Sequence, residues 1–351
     1  MKKIIFTGGG TAGHVIPNIS IINELDRNKF QIFYIGSKKG IEKELILKEN
    51  ITYFEIFSGK LRRYFSIENF IDIFKVLLGI IQSFFIIRKI KPNLIFSKGG
   101  FVSVPVVISG FLNKIPIISH ESDITPGLAT KISSYFSTKI LTSFPETINY
   151  LPKYKTEYVG NPIRKELLQD NIDNSFINFK ENKPILLIFG GSLGSQFINK
   201  EIRKILDNLI KNFNIIHICG KGNIDKNLEN IEGYKQFEYL EKEMFNALKI
   251  SDIVISRAGA NSIFEILALK KPNILIPLSK KASRGDQILN AKSFEKSGFS
   301  IVIEEEELNS ELLLNKILEL YDRRNEFIYK MNKSNYIDSN KKILDILNKY
   351  C

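Results

Sequence analysis

Short, uninterrupted apolar runs alternate with longer helical stretches along the chain, and this alternation is the strongest constraint on its fold. The runs are KKIIFT, FQIFYIG, PNLIFS and IPIISH, followed by KPILLIFG, FNIIHIC, SDIVIS and KPNILIP. Strands that are apolar at consecutive positions are covered on both faces, and strands that alternate with helices form βαβ units. The sequence therefore predicts an α/β protein with doubly wound parallel sheets flanked by helices.

The chain divides into two parts with a similar plan. Its 351 residues exceed what one hydrophobic core usually fills. Each part opens with a strand that runs into a glycine loop, in IIFTGGGTAG and LLIFGGSLGS. The segment FPETINYLPKYKTEYVGNPIRKE between them carries three prolines and indicates a boundary near residue 160. We predict domains at 1–160 and 161–335 with a cleft between them, and a terminal amphipathic helix over 336–351 that packs back on the first domain.

The composition is that of a globular protein with a basic balance. Hydrophobic residues make up 44% and charged residues 25% of the chain. The net charge of +12 favours anionic partners such as phosphates, nucleic acid or an acidic membrane, although a chain rich in Lys throughout explains it equally well. Cys219 and Cys351 offer neither a disulfide framework nor metal-ligand spacing. The apolar run of MKKIIFTGGG is too short for an export signal, so none is expected.

The two glycine loops predict sites for anionic groups. Gly8, Gly10 and Gly13 match G-x-G-x-x-G after a strand, a pattern that brings backbone amides to a pyrophosphate. A dinucleotide site also needs an acidic residue after the second strand, where this chain has YIGSKKG. No G-K-[ST] follows either loop, so a P-loop is not predicted. The second loop, residues 190–195, also opens a helix, and two such loops indicate a pair of substrates.

Polar side chains follow the strand IPIISH and the first loop. His120, Glu121 and Asp123 would project into the crevice at the strand ends, where open α/β sheets bind ligands. Either His14 or Glu121 is suited to act as a general base. A histidine that caps a turn explains His14 and His120 equally well.

Polar groups in the second part each allow two interpretations. Arg164, after a proline, suits a diphosphate or a solvated surface. Glu265 can accept two ribose hydroxyls or close a capping box with Ser262. Gln287 and Asn290 lie on one helical face, where they suit a sugar or water.

Residues 61–91 form the most apolar stretch and carry basic residues at both ends. Asp72, Lys75 and Gln82 interrupt it, and its uninterrupted apolar run is well below the roughly 20 residues that a transmembrane helix needs. With Ser66 as its cap, the helix would suit the surface of an anionic bilayer. The alternative is a helix buried against the first sheet. Both interpretations are possible if one face of the helix packs on the sheet and another meets the bilayer.

Seven motifs occur in a fixed order: TGGGTAGHVIPN, SKGGFVSVP, HESDITPGLATK, VGNPIR, FGGSLGS, SRAGANSIFE and GDQILNA. Through them the chain closely resembles, nearly end to end, the MurG family of UDP-N-acetylglucosamine transferases. The resemblance implies two Rossmann-like domains in the GT-B arrangement, with the donor bound mainly by the C-terminal domain and the acceptor by the N-terminal one. It implies inverting transfer of N-acetylglucosamine from its UDP conjugate to the 4-hydroxyl of the N-acetylmuramyl-pentapeptide of undecaprenyl-diphosphate-linked lipid I, which gives lipid II for peptidoglycan.

The resemblance also implies roles for individual residues. The expected base is His14, with Glu121 second or as its orienting partner. The expected donor-binding residues are Gly10, Thr11, Ala12, Arg164, Gly191, Ser192, Leu193, Gly194, Ala260, Glu265, Gln287 and Asn290. The expected acceptor-binding residues are Gly8, Gly9, Gly13, Gly99, Gly100 and Asp123.

The resemblance further implies how the protein works and where. The chain has no Asp-x-Asp pair to hold a metal on a diphosphate, so neither a metal nor a cofactor is expected. The expected location is peripheral, on the cytoplasmic face of the cell membrane, with the 61–91 region on the anionic surface and no nucleic acid as partner. Three alternatives remain open: another lipid glycosyltransferase with a diacylglycerol acceptor, a dinucleotide-dependent oxidoreductase, and a non-catalytic sugar-nucleotide-binding protein.

Overall fold

The computed structural model describes residues 1–59, 67–191, 194–281, 283–334 and 339–351, with backbone alone for 67–71. The chain forms two compact units. The first unit runs from Met1 to Ile163 and includes the C-terminal helix, and the second unit begins at Arg164.

In the described part of the first unit, seven parallel strands form a sheet in the order β3-β2-β1-β4-β5-β6-β7. The strands are β1 Lys2–Thr7, β2 Phe30–Ser37, β3 Thr52–Ile56, β4 Leu94–Ser97, β5 Ile117–Glu121, β6 Lys139–Thr142 and β7 Thr156–Tyr158. The helices between them are α1 Ala12–Glu24, α2 Ile41–Lys48, α3 Ile67–Ile90, α4 Ser103–Leu112 and α5 Leu128–Phe136.

Consecutive apolar residues in β1 fill two separate cores. Ile4 and Phe6 pack in a cluster with residues of α1 on one face of the sheet. Ile5, between them, belongs to a second cluster with Ile87 of α3 and Val106 of α4. Neighbouring side chains of a strand point to opposite faces, so a strand covered on both faces needs apolar residues at every position.

In the second unit, the described residues form a six-stranded parallel sheet in the order β10-β9-β8-β11-β12-β13. Its strands are β8 Ile185–Phe189, β9 Asn214–Ile218, β10 Tyr234–Phe237, β11 Ile253–Ser256, β12 Asn273–Leu275 and β13 Ser300–Val302. Its helices are α6 Lys165–Leu168, α7 Gln196–Lys204, α8 Leu206–Leu209, α9 Glu243–Ile250, α10 Ala260–Ala268, α11 Asp286–Lys296, α12 Ser310–Asp322 and α13 Arg324–Asn332.

The last helix, α14 Ser339–Tyr350, belongs to the first unit. Its residues Ile343 and Leu347 are fully buried in the same cluster as Ile4. At its start, Asn340 accepts a hydrogen bond from the Ile163 amide at 2.9 Å and donates one to the Ile163 carbonyl at 2.7 Å. Residues 336–338 of the predicted helix lie outside the described residues.

The parallel α/β fold predicted from the apolar runs is confirmed, and all eight runs are strands. Five strands were not predicted: β3, β6, β7, β10 and β13. Among the helices that the structure describes, none is long and apolar enough to cross a membrane.

Candidate active site

In the first unit, three loops meet at the carboxyl ends of β1, β4 and β5. These strands are neighbours in the sheet, and the chain order reverses at β1, which is where open α/β sheets form ligand sites. Gly10, Gly99 and Gly100 adopt positive φ angles of 84°, 89° and 80°. A Cβ added at Gly100 would lie 2.2 Å from the Gly9 carbonyl oxygen. Glycine is therefore required where the β1 and β4 loops touch.

Glu42 of α2 holds the first glycine loop from below. Its side chain is fully buried, and its Oε2 accepts a hydrogen bond from the Gly10 amide at 3.1 Å. Its Oε1 accepts bonds from the amide and hydroxyl of Ser37, at 3.1 and 2.6 Å. One amide of the loop is thus already bound by a carboxylate of the protein. Sequence reasoning missed Glu42, because its spacing does not separate it from the exposed Glu44 of the same helix.

His14 lies in the first turn of α1, beside this loop. Its Nδ1 and the Thr11 hydroxyl are 3.0 Å apart. On the other side of the ring, Nε2 lies 3.9 Å from the position that a Cβ on Gly99 would occupy. The imidazole is half-buried, with one edge held by Thr11 and the other directed at the β4 loop.

Glu121 organises the loop after β5. Its Oε1 accepts hydrogen bonds from the amides of Ser122 and Asp123, at 2.9 and 3.1 Å. Its Oε2 accepts one from the amide of Gly127, at 3.2 Å, where α5 begins. Both oxygens of this buried carboxylate are therefore engaged by backbone, as expected of a group that fixes a loop.

His120 belongs to a buried polar cluster that also contains Lys98. His120 is 1% exposed, and its Nε2 lies 2.9 Å from the Gly160 carbonyl, so Nε2 carries the proton and Nδ1 accepts a bond from Lys98 Nζ. Burial is the main reason that the pKa of His120 lies well below its ordinary value, and the positive charge of Lys98 is the second reason. Of the two interpretations of His120, the structural one applies. Lys98 was also missed, since in SKGG it resembles any loop lysine.

In the second unit, the carboxyl ends of β8, β11 and β12 form the corresponding edge, where the chain order reverses at β8. Gly191 and Gly194 of the β8 loop have positive φ angles of 91° and 75°. A Cβ at Gly194 would lie 2.1 Å from the Cys219 carbonyl oxygen, so this glycine allows the loop to pack on the end of β9. The predicted donor-binding residues Ser192 and Leu193 lie outside the described residues.

Arg257 fixes the end of this loop from beneath. It is 7% exposed, and its Nη2 donates to the hydroxyl of Ser195, the N-cap of α7, at 2.8 Å. The same guanidinium donates to the Ile276 carbonyl at 3.1 Å and pairs with Glu305. Arg257 thereby joins three segments at the carboxyl edge. It lies in the quoted motif SRAGANSIFE, but the sequence alone gave it no role.

Arg164 and Glu265 form a two-pronged ion pair. Arg164 Nε and Nη2 donate to the two carboxylate oxygens at 2.8 and 2.9 Å, and the guanidinium stacks on the Phe245 ring at 4.2 Å. The predicted capping-box alternative with Ser262 is wrong, because α10 begins at Ala260 with Gly259 as its N-cap. Glu265 lies inside α10, and its carboxylate binds the Arg164 guanidinium and not a backbone amide at the start of the helix.

The two residues of α11 predicted to bind the sugar are hydrogen-bonded to the backbone. Gln287 Oε1 accepts a hydrogen bond from the Leu278 amide at 3.1 Å. Asn290 is fully buried and donates to the Ala258 carbonyl at 3.3 Å. The water-facing alternative for Asn290 is therefore wrong.

The described candidate residues divide between the two units. The first unit holds Gly8, Gly9, Gly10, Thr11, Ala12, Gly13, His14, Gly99, Gly100, Glu121 and Asp123. The second unit holds Arg164, Gly191, Gly194, Ala260, Glu265, Gln287 and Asn290. Among the described residues, no three His, Cys, Asp or Glu side chains lie together in a way that could hold a metal ion.

Comparison with known proteins gives matches over both units. The glycosyltransferase family 28 N-terminal domain matches residues 4–142, and the family 28 C-terminal domain matches residues 185–348. A Clostridium tetani protein named UDP-N-acetylglucosamine--N-acetylmuramyl-(pentapeptide) pyrophosphoryl-undecaprenol N-acetylglucosamine transferase is 59% identical, over 99% of this chain and 98% of its own length. A protein of the same name from Clostridium botulinum strain Langeland is 57% identical, over 100% and 99%.

The fold is also found in solved structures. The crystal structure of Acinetobacter baumannii MurG matches this chain with a TM-score of 0.77 and 21% sequence identity. The match covers 99% of this chain and 100% of that one.

Proposed function

The chain belongs to the MurG family of glycosyltransferases, and from that premise we propose how its two units divide the reaction. It is a UDP-N-acetylglucosamine-dependent N-acetylglucosaminyltransferase with the GT-B fold. It transfers N-acetylglucosamine to lipid I, the N-acetylmuramyl-(pentapeptide) pyrophosphoryl-undecaprenol, and forms lipid II in peptidoglycan synthesis. The observation that carries this assignment is 57–59% identity to such transferases over at least 99% of the chain.

We propose that the second unit binds the donor. The β8 loop leads into the N-terminus of α7, where the first backbone amides and the helix dipole favour a diphosphate. Each oxygen of Glu265 accepts one bond from Arg164 and keeps a second lone pair, so the carboxylate can accept the two hydroxyls of a ribose. In this proposal Arg164 positions Glu265, which differs from the direct contact to the diphosphate expected from the sequence.

We propose that the first unit binds lipid I and supplies the base. The helices α1 and α4 both begin at the touching glycine loops, so two helix N-termini favour the acceptor diphosphate there. With Nδ1–H donating to Thr11, Nε2 of His14 presents a lone pair that can take the proton of the acceptor 4-hydroxyl. Glu121 acts as a positioning residue, because backbone amides occupy both of its oxygens.

The reaction proposed for these groups is a single displacement. As His14 removes the hydroxyl proton, the acceptor oxygen forms a bond to the anomeric carbon of N-acetylglucosamine, and the bond from that carbon to UDP breaks. The anomeric configuration inverts, and the leaving diphosphate keeps the electron pair. The N-terminus of α7 stabilises the charge that develops on the leaving group.

We also propose that α3 rests on the membrane through its exposed face. Ile73, Phe74, Leu77, Leu78, Ile81 and Phe85 are exposed, at positions that share one face of the helix. The opposite face is buried through Ser83, Ile87 and Ile90, so the buried interpretation applies to that face, and we propose the membrane interpretation for the exposed one. Arg88 and Lys89 at its end would meet anionic headgroups. This surface supports peripheral binding at the cytoplasmic face; residues 60–66, including Ser66, lie outside the described residues.

The acceptor is tested by transfer of radiolabelled sugar from UDP-N-acetylglucosamine to detergent-dispersed lipids. We expect label in lipid II when lipid I is offered, and none when diacylglycerol is offered. Label in diacylglycerol alone would assign the chain to another lipid glycosyltransferase, and no transfer to either lipid would favour a binding protein.

A double-mutant cycle tests the Arg164–Glu265 pair. Because each variant breaks the same pair, Arg164→Ala and Glu265→Gln should each raise the KM for UDP-N-acetylglucosamine roughly 10- to 100-fold, the size of a charged hydrogen bond. The double variant should be little worse than either single one. Arg323→Ala, at an exposed ion pair of the same unit, is the matched control with an unchanged KM. Additive effects would contradict the pairing of the two residues in donor binding.

Replacement of His14 tests the base. His14→Ala should lower kcat by roughly 100-fold or more, since general base catalysis contributes about that much, and leave the Kd for UDP unchanged. Thr11→Val, which removes the partner of Nδ1 but keeps the ring, should lower kcat less. If His14→Ala turns over like the wild type, the base is another group.

Vesicle sedimentation tests the membrane face. The charged double variant Phe74→Glu/Phe85→Glu should bind vesicles containing phosphatidylglycerol on the order of tenfold more weakly, because it removes apolar area and repels the headgroups. Tyr329→Glu, at an exposed aromatic residue of α13, is the control and should bind like the wild type. Equal binding by all three proteins would exclude α3 as the contact.

A further inference from the structure

Lys98 is a buried lysine directly beneath the glycine loops of the first unit. It is 2% exposed and immediately precedes Gly99 and Gly100. Its amide donates to the Thr7 carbonyl at 2.9 Å, which joins the ends of β4 and β1. A Cβ added at Gly8 would lie 3.2 Å from the Cβ of Lys98, so the side chain starts against the first loop. Burial at this place is unusual for lysine, which is almost always solvated unless it is paired.

The ammonium of Lys98 has three hydrogen-bond acceptors from three segments. Its Nζ donates to His120 Nδ1, to the Ser122 hydroxyl and, at 3.4 Å, to Asn161 Oδ1. An ammonium has three N–H donors, so the charged form is fully hydrogen-bonded. None of these three acceptors carries a formal charge. Hydrogen bonds are therefore satisfied while the positive charge is not neutralised by direct contact.

Nearby carboxylates offset this charge only from a distance. Burial lowers the pKa of Lys98 to about 7, although the charges of Glu121 and Asp123 act in the opposite direction. Glu121 is itself engaged by backbone amides. An anion that binds over the loops would supply the missing counter-charge and favour the protonated lysine.

We infer that Lys98 is a positioning residue for the acceptor, whose buried ammonium provides the counter-charge for the diphosphate of lipid I at the glycine loops. This inference rests on the proposed binding of lipid I by the first unit. It deepens that proposal by naming a residue that lies beneath the loops instead of in them. It also gives acceptor binding a dependence on pH through Lys98.

The sign of that dependence follows from the charge. Lys98 of the free enzyme loses its proton as the pH rises through about 7, and the neutral amine no longer attracts an anion. The KM for lipid I should therefore rise between pH 6 and pH 9. Other ionisable groups on the elements packed against Lys98 are His14, Glu42, His120, Glu121 and Asp123. These groups remain when Lys98 is replaced, so a comparison of variants separates their titration from that of Lys98.

The test compares the wild type with Lys98→Met, of similar length and without charge, and with Lys98→Gln, which keeps a hydrogen-bond donor. The KM for lipid I in detergent micelles and the KM for UDP-N-acetylglucosamine are measured from pH 6 to pH 9. For the wild type, the KM for lipid I should rise at least about tenfold across this range. Both variants should show a raised KM for lipid I at pH 6 that changes little up to pH 9, with an unchanged KM for the donor.

Identical pH profiles of the KM for lipid I in wild type and variants would overturn the inference. If the wild type transfers no sugar to lipid I at all, the proposed function itself fails, which is a different outcome. Should both variants fail to fold, carbon-13 NMR of the lysine side chains of the wild type decides. One lysine should titrate near pH 7, and a short-chain lipid I analogue should raise that pKa; an unchanged titration would overturn the inference.

Discussion

Each glycine loop depends on buried charged side chains that reach it from neighbouring elements. Glycine has no side chain with which to fix the shape of a loop. Each loop lies at the carboxyl edge of a sheet whose two faces are covered by apolar residues. In the first unit Glu42 binds the Gly10 amide and Lys98 lies against Gly8. In the second unit Arg257 binds Ser195, the residue that ends the β8 loop. The charges cost free energy to bury, and hydrogen bonds to backbone and side chains offset that cost.

These buried charges also set the chemistry of the two edges. Arg257 in the second unit is paired with Glu305, so its charge is neutralised inside the protein. Among the described residues, the hydrogen-bond acceptors of Lys98 in the first unit are neutral, and the carboxylate of Glu42 lies under the adjacent loop. The two loops thus look alike in sequence but differ in their electrostatics. In our proposal, a bound anion provides the counter-charge for Lys98 at the carboxyl edge of the first unit.

The fold was largely predictable because covered strands must be apolar at every position. The five strands that the sequence did not reveal fall into two groups. Four of them, β3, β7, β10 and β13, are the edges of the two sheets, where one side lacks a neighbour and polar residues are tolerated. The fifth, β6, has only two consecutive apolar residues, Ile140 and Leu141. Four of the five have no more than two consecutive apolar residues, whereas β13 has three, Ile301, Val302 and Ile303, as many as the predicted strand β11.

The site was predictable only in part. Sequence motifs identified the glycine loops, Glu265 and Arg164, because these residues follow predicted strands or belong to motifs that resemble those of a known family. Lys98, Glu42 and Arg257 escaped notice, since a local pattern does not reveal that a charged side chain is buried. Sequence spacing likewise allowed a capping box for Glu265, whereas its partner is Arg164, which is 101 residues away in the chain. Such pairings arise from tertiary packing and are absent from any local window.

The division of the substrates between the units is tested most directly by hydrogen–deuterium exchange of the whole protein with and without UDP. We expect UDP to slow exchange in residues 194–199 and 257–265 and to leave exchange in residues 8–14 unchanged. Slowed exchange confined to residues 8–14 would contradict this division.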